Sequence, residues 1–170
     1  MKKLVLRYNK PAPSTVEGWE QYSIPIGNGY FGASVFGGTD FDRLQFTTNT
    51  FANQPHQGGV TNFGEIYLHF NHNDVSDYER GLDLNTGVAY SKYRFDGATV
   101  DRKAFVSYAD KVFAYKITTD KSVDFKAQLV IPYLGDRALD DGGRTGEITI
   151  EENVLVMRGT LPSRELIYEA

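Results

Sequence analysis

The sequence of 170 residues contains no cysteine and no long apolar run. The first absence excludes a disulfide framework, a thiolate metal site and a cysteine nucleophile. The second excludes a membrane-spanning helix, which needs roughly 20 apolar residues. An apolar start ends at Arg7, short of the roughly 7–15 residues of a signal-peptide core. The sequence therefore predicts either a cytoplasmic protein or one whose signal peptide was removed before the numbering begins.

An excess of positive charge is also missing. The chain carries 18 basic and 22 acidic residues, a net charge of −4, with no cluster of lysine or arginine. Proteins that bind nucleic acids need a basic surface that follows the phosphates. This balance excludes a nucleic-acid partner and suits a neutral sugar or another protein surface.

No segment of ten residues shows the 3.6-residue period of an amphipathic helix, whereas short runs alternate apolar and polar residues. The 11 tyrosines and 11 phenylalanines favour pleated surfaces, and the 17 glycines favour tight turns. We therefore predict an all-β chain that forms one antiparallel β-sandwich (a supersandwich) over residues 1–170.

The alternation predicts eleven strands, at residues 4–8, 30–36, 41–47, 65–70, 78–84, 88–95, 98–107, 112–118, 123–131, 147–150 and 154–157. Asp96-Gly97 predicts a two-residue hairpin turn, and residues 27–29 predict a tight turn. Residues 48–64 and 132–145 lack periodicity and are predicted to be long loops. The sequence stops inside a further strand that begins at Leu166, which predicts an incomplete sandwich whose open edge self-associates.

No arrangement of residues predicts catalysis. Glycoside hydrolysis uses two carboxylates that face one sugar, but the acids are scattered and are predicted to be solvated: Glu65, Asp77, Glu79, Asp83, Asp96, Asp101 and Asp110. Three histidines do not supply the converging ligands of a zinc site, and no phosphate loop or serine elbow is present. We therefore predict no catalytic residue, no metal site and no cofactor within this chain.

Several motifs, in order along the chain, resemble those of one enzyme family. Residues 10–12 read KPA, residues 19–38 read WEQYSIPIGNGYFGASVFGG, and residues 41–46 read FDRLQF. Residues 63–68 read FGEIYL, residues 78–87 read YERGLDLNTG, and residues 102–110 read RKAFVSYAD. This series resembles the start of glycoside hydrolase family 95, the inverting α-L-fucosidases.

The resemblance implies an N-terminal β-supersandwich, followed in the family by a helical linker and an (α/α)6 barrel that carries the catalytic glutamate. That barrel is absent from this chain, so its partners are expected to be the C-terminal catalytic barrel of the same polypeptide and a fucosylated or related glycan. Residues 46–54 read FTTNTFANQ and lack the acidic pair and tryptophan of the family. That departure leaves α-L-galactosides and other decorated glycans open as substrates.

The loop predicted at 48–64 carries amide and imidazole groups that hydrogen-bond to hydroxyls. Asn49, Gln54 and His56 are the candidate substrate-binding residues, placed to reach the mouth of the barrel. The rival hypothesis is a stand-alone carbohydrate-binding module with a sugar stacked on Tyr67, Tyr90 or Tyr93, and the third is a purely structural sandwich. In the plain alternative to both binding hypotheses, the polar loop only connects strands and the tyrosines pack across the sheet.

Overall fold

A computed structural model describes residues 4–53, 59–132, 145–161 and 166–169. These segments are almost entirely strands, joined by short turns. The helical element among them is a single π-type turn, Gly18–Tyr22, and no described helix is long and apolar enough to cross a membrane. The predicted all-β class is confirmed.

The described strands are β1 Val5–Tyr8, β2 Ile24–Gly27, β3 Phe31–Val35, β4 Phe41–Asn53, β5 Gly59–His69, β6 Ser76–Asp83, β7 Val88–Phe95, β8 Ala98–Val106, β9 Phe113–Thr119, β10 Lys126–Val130, β11 Thr145–Glu151, β12 Val154–Leu161 and β13 Leu166–Glu169. All the pairings between them are antiparallel.

Two five-stranded sheets form the sandwich, which is not closed into a barrel within the described residues. The first sheet has the order β1-β6-β7-β8-β9, and the second has the order β10-β5-β4-β3-β2. Strands β2 and β3 pack across the interior against β7 and β8. Alternate residues of each strand face this interior, where they form one apolar cluster that includes Ile24, Leu44, Phe46, Phe70 and Ala104.

The third sheet, β11-β12-β13, joins the core through Met157. This side chain is fully buried and occupies the space beside Gly64 on β5: a Cβ at position 64 would lie 2.6 Å from the Met157 Cε. A glycine at this position of β5 therefore lets the third sheet approach the second.

Turn residues follow the chemistry that the sequence predicts. Asp96 and Gly97 have φ angles of 46° and 68°, the conformation of a two-residue hairpin turn. Asn28 holds the turn before β3, since its Oδ1 accepts hydrogen bonds from the amides of Tyr30 and Phe31. Its Nδ2 donates to the Ser107 carbonyl at 2.7 Å, which ties the two sheets together at this end of the sandwich.

Two expectations about the elements are wrong. Within the predicted loop at 48–64, residues 48–53 belong to β4 and residues 59–64 belong to β5, and residues 54–58 lie outside the described residues. Threonine, valine and phenylalanine occur throughout this stretch, and such residues pair readily as strands when a partner strand lies alongside, even without strict alternation. Strand β2 lies where no strand is predicted, because its buried Ile24 and Ile26 alternate with exposed residues over only four positions.

Candidate functional site

An ion pair lies in the interior between the two sheets. Asp42 of β4 is fully buried, and Arg102 of β8 is 1% exposed. The Arg102 Nη1 donates to the Asp42 Oδ2 at 3.2 Å, and the Arg102 Nε donates to the Ser91 hydroxyl at 2.9 Å. The Tyr115 hydroxyl donates to the same Asp42 oxygen at 3.2 Å. Each charge therefore has a counter-charge and further hydrogen bonds, as burial in a low-dielectric interior requires.

The glycine pair at the end of β3 belongs to this network. Gly37 has a φ of 76°, and its carbonyl accepts from Arg102 Nη2 at 3.3 Å and from the Tyr78 hydroxyl at 2.6 Å. The amide of Gly38 donates to Asp42 Oδ1 at 2.9 Å. A Cβ at position 38 would lie 1.8 Å from the Phe41 carbonyl oxygen, so a side chain there would collide with the backbone.

A second buried guanidinium completes the arrangement. Arg80 is 2% exposed, its Nε donates to the Lys10 carbonyl at 2.7 Å, and its guanidinium lies 4.3 Å from the centre of the Tyr8 ring. Five of the six motifs that carry the family resemblance, at residues 10–12, 19–38, 41–46, 78–87 and 102–110, thus each contribute a residue to this interior arrangement. They specify how the two sheets join, since none of these buried groups faces solvent.

The electrostatics of the cluster fit a structural role. Burial raises the pKa of the Asp42 carboxyl, while the Arg102 charge and hydrogen bonds from Gly38, Tyr115 and Arg43 act to lower it. Burial also raises the pKa values of the Tyr78, Tyr93 and Tyr115 hydroxyls, so these groups stay neutral donors. A sugar cannot reach Asp42, and the carboxyl therefore cannot act as an acid or a nucleophile on a glycosidic bond.

His72 extends the cluster toward the end of the first sheet. It is 3% exposed, stacks on Phe95 with ring centres 4.1 Å apart, and lies with its Nδ1 2.9 Å from the Tyr93 hydroxyl. Burial lowers the pKa of His72, and the Arg102 charge lowers it further. The folded domain therefore holds this imidazole in its neutral form.

This neutral histidine predicts an acid-sensitive fold. In the unfolded chain His72 takes up a proton near pH 6.5, whereas the folded domain resists it until lower pH. The unfolded state then binds more protons, so stability falls as the pH decreases below about 6.5, by at most about 1.4 kcal/mol per pH unit. Chemical denaturation between pH 7 and 5 measures the free energy of unfolding. For His72→Asn, which keeps a hydrogen-bonding group near Tyr93, this free energy is expected to depend less steeply on pH than for wild type.

The matched control for that measurement is His69→Asn, which removes a half-buried histidine from the outer face of β5. This variant is expected to show the same change of unfolding free energy with pH as wild type. Equal slopes for wild type and His72→Asn would refute the assignment.

A second buried carboxylate lies on the outer face of the second sheet. The side chain of Glu65 is 0% exposed and accepts from Arg43 Nε at 2.8 Å and Arg43 Nη2 at 2.6 Å. Gln45 and Asn62 donate to its Oε1 at 3.0 Å and 2.6 Å. Burial acts to raise the pKa of Glu65, but the hydrogen bonds from Arg43 and Gln45 and the Arg43 charge outweigh it, so the pKa lies below its usual value.

The expectation that Glu65 is solvated is therefore wrong. Its strand position does point away from the interior, but Arg43, Gln45 and Asn62 from the paired strands cover it. Such a carboxylate is committed to its partners and is not free to protonate a leaving group.

The outer face of the first sheet carries an open groove of about 400 Å³. Glu79 and Asp83 of β6 both line it. They lie four residues apart on the strand, with their Cα atoms about 13 Å apart, and each carboxylate has its own hydrogen-bond partners. Glu79 accepts from Tyr90 and Arg7, and Asp83 accepts from Asn85. Both acids are therefore engaged in hydrogen bonds within the sheet and its turn.

Of the three candidate substrate-binding residues, only Asn49 lies within the described part of the chain. It is exposed on β4, and its Nδ2 donates to the Gly29 carbonyl at 3.1 Å while its amide donates to the Tyr30 carbonyl at 2.9 Å. Asn49 therefore braces the turn before β3. Gln54 and His56 lie outside the described residues.

The three candidate stacking tyrosines differ in position. Tyr93 is 0% exposed, so the expectation that it faces outward is wrong. Period-two alternation places residues 90 and 93 of one strand on opposite faces, and Tyr93 falls in phase with the buried Ala89 and Ser91. Tyr90 is half-buried in the groove of the first sheet, and Tyr67 is half-buried against Phe41, with ring centres 5.0 Å apart.

Metal ligands do not cluster within the described ranges. No group of three histidine, aspartate or glutamate side chains there lies close enough to hold an ion.

Comparison with known proteins places the chain among glycoside hydrolase domains. The family model described as "Glycosyl hydrolase family 65, N-terminal domain" matches residues 47–170. No curated protein matches the chain. The match confirms the broader part of the sequence resemblance, an N-terminal domain of a glycoside hydrolase, and names family 65 where the motifs resemble family 95. The chain belongs to the glycosyl hydrolase family 65 N-terminal domain family.

Proposed function

We propose that this domain is the non-catalytic N-terminal β-sandwich of an inverting hydrolase that removes terminal α-L-fucose, or a related α-L-sugar, from glycans. The burial and the hydrogen bonding of the acidic side chains are the observation that supports a non-catalytic domain. Asp42 and Glu65 are buried in ion pairs, and Glu79 and Asp83 accept hydrogen bonds from separate partners in the sheet and its turn. The α-L-fucoside specificity rests on the ordered motifs of the sequence.

The expected partner is a C-terminal (α/α)6 barrel of the same polypeptide, against which the sandwich packs. Residues 54–58 connect β4 and β5, and Gln54 and His56 lie in this connection. Asn49 anchors the base of the hairpin through Gly29. Substrate sites form preferentially at domain interfaces, which supports Gln54 and His56 as contacts with the barrel and its substrate.

The experiment measures release of p-nitrophenol from p-nitrophenyl α-L-fucoside. The 170-residue chain is expected to show no turnover, whereas a polypeptide that also contains the barrel hydrolyses the substrate. In that longer protein, Gln54→Ala or His56→Ala is expected to raise KM at least tenfold, equivalent to about 1.4 kcal/mol of binding. Thr118→Ala, an exposed substitution on β9, serves as the control.

Two results would contradict this function. Turnover by the 170-residue chain that disappears on Glu79→Gln would place catalysis within the sandwich. Hydrolysis by the longer protein of other aryl glycosides, with none of the fucoside, would remove the proposed specificity.

The alternative function is a carbohydrate-binding module. The half-buried Tyr90 in an open groove favours it, because aromatic side chains with polar neighbours are typical of small-molecule sites. A module of this kind binds saccharides without any barrel, which distinguishes it from a purely packing domain.

A further inference from the structure

The groove on the outer face of the first sheet has the size of a ligand site. Its volume of about 400 Å³ lies within the range of roughly 300–1,000 Å³ for small-molecule pockets. Residues of β1, β6, β7 and β8 form most of its walls, and Thr86 of the turn between β6 and β7 completes them. A site built on paired strands is held rigid by their hydrogen bonds.

Tyr90 forms a flat surface in this groove. Its cross-strand neighbour on β6 is Gly81, and a Cβ at position 81 would lie 2.7 Å from the Tyr90 hydroxyl oxygen and 2.8 Å from its Cζ. The hydroxyl end of the ring therefore lies over the glycine, in space that a side chain at position 81 would fill. Tyr90 also lines the groove, and an aromatic ring there suits the apolar C–H side of a sugar ring.

The Tyr90 hydroxyl is fixed as a donor. It donates to the Glu79 Oε1 at 2.8 Å. Burial and this hydrogen bond raise the pKa of Tyr90 to about 12, so the hydroxyl keeps its proton at neutral pH. Arg7 binds the other Glu79 oxygen at 3.4 Å, which holds the carboxylate at the edge of the ring.

Charges around the ring balance one another. Arg7 and Lys103 supply two positive groups, and Glu79 and Asp83 supply two negative groups. A charged ligand of either sign would be repelled by the two groups of like charge. The hydroxyl groups of a neutral sugar, in contrast, both donate to carboxylates and accept from ammonium and guanidinium groups.

We infer that this groove binds a neutral pyranoside, with the sugar ring stacked on Tyr90 and its hydroxyls bonded to Glu79 and Lys103. The inference rests on the proposed function, because the domain of a glycoside hydrolase lies close to the glycan substrate of the enzyme. It adds a saccharide site on the outer face of the first sheet.

The test titrates methyl α-L-fucopyranoside into the ¹⁵N-labelled chain and follows amide shifts by NMR. Shifts are expected at Tyr90, Glu79 and Lys103, with a dissociation constant of about 1–10 mM. Tyr90→Ala is expected to weaken binding at least tenfold. Tyr90→Phe keeps the ring and is expected to retain most of the affinity, and Lys103→Met leaves the ring in place but removes one donor, with a several-fold loss.

The control variant is Tyr108→Ala, which removes a tyrosine that is 74% exposed outside the groove and is expected to leave binding unchanged. D-glucuronate and D-glucosamine serve as charged probes and are expected to bind more weakly than the fucoside. The absence of shifts, shifts centred on Tyr67, or undiminished binding by folded Tyr90→Ala and Lys103→Met variants would each overturn the inference. These results would leave the aryl fucoside assay of the longer protein unaffected, so the two proposals fail separately.

Discussion

Replacing Arg102 by methionine is expected to lower the free energy of unfolding by about 3–5 kcal/mol, the largest single effect in the domain. Methionine fills similar space but leaves the fully buried Asp42 without its counter-charge. It also removes the donors that Ser91 and the Gly37 carbonyl accept from. Urea denaturation monitored by circular dichroism measures the change.

The matched control is Arg94→Met, which makes the same chemical change at an exposed position of the neighbouring strand β7. It is expected to change stability by no more than about 0.5 kcal/mol. A double variant that combines Arg102→Met with Asp42→Asn is expected to lose less than the sum of the two single losses, because each single change orphans the other partner. Equal stability of Arg102→Met and Arg94→Met would show that the ion pair does not hold the sheets together.

Local pattern was enough to predict most strands but not the pairing of the charges. Arg102 lies in phase with the buried Val100 and Ala104, and Asp42 lies in phase with Leu44 and Phe46. The alternation alone therefore indicates that a charged residue lies on the buried apolar face of each strand. Nothing in the alternation indicates that these two residues, 60 positions apart and on opposite sheets, meet each other. That contact depends on how the two sheets stack.

The errors in the site have a different origin. Glu65 lies out of phase with the core, so alternation alone assigns it to solvent, and its burial depends on the β4–β5 register that places Gln45 directly opposite it. Tyr93 lies three residues from Tyr90, so strict alternation already places the two on opposite faces. The burial of Glu65 depends on three-dimensional contacts, whereas the face of Tyr93 follows from the two-residue period alone.

Glu65→Gln is expected to lower the free energy of unfolding by about 2–3 kcal/mol, the second-largest effect. The substitution keeps the shape of the side chain but replaces one carboxylate oxygen by an amide that cannot accept from Arg43 or Asn62. Because the folded pKa of Glu65 is depressed, its contribution is present above the unfolded value near 4.5 and is lost as the pH falls toward the folded value. The difference in the free energy of unfolding between wild type and Glu65→Gln should therefore shrink below pH 4.5. The control is Glu147→Gln, at an exposed position of β11, whose free energy of unfolding should not differ from wild type in this way. A constant difference from pH 7 to pH 3 would indicate that the charge of Glu65 does not stabilise the outer face of the second sheet.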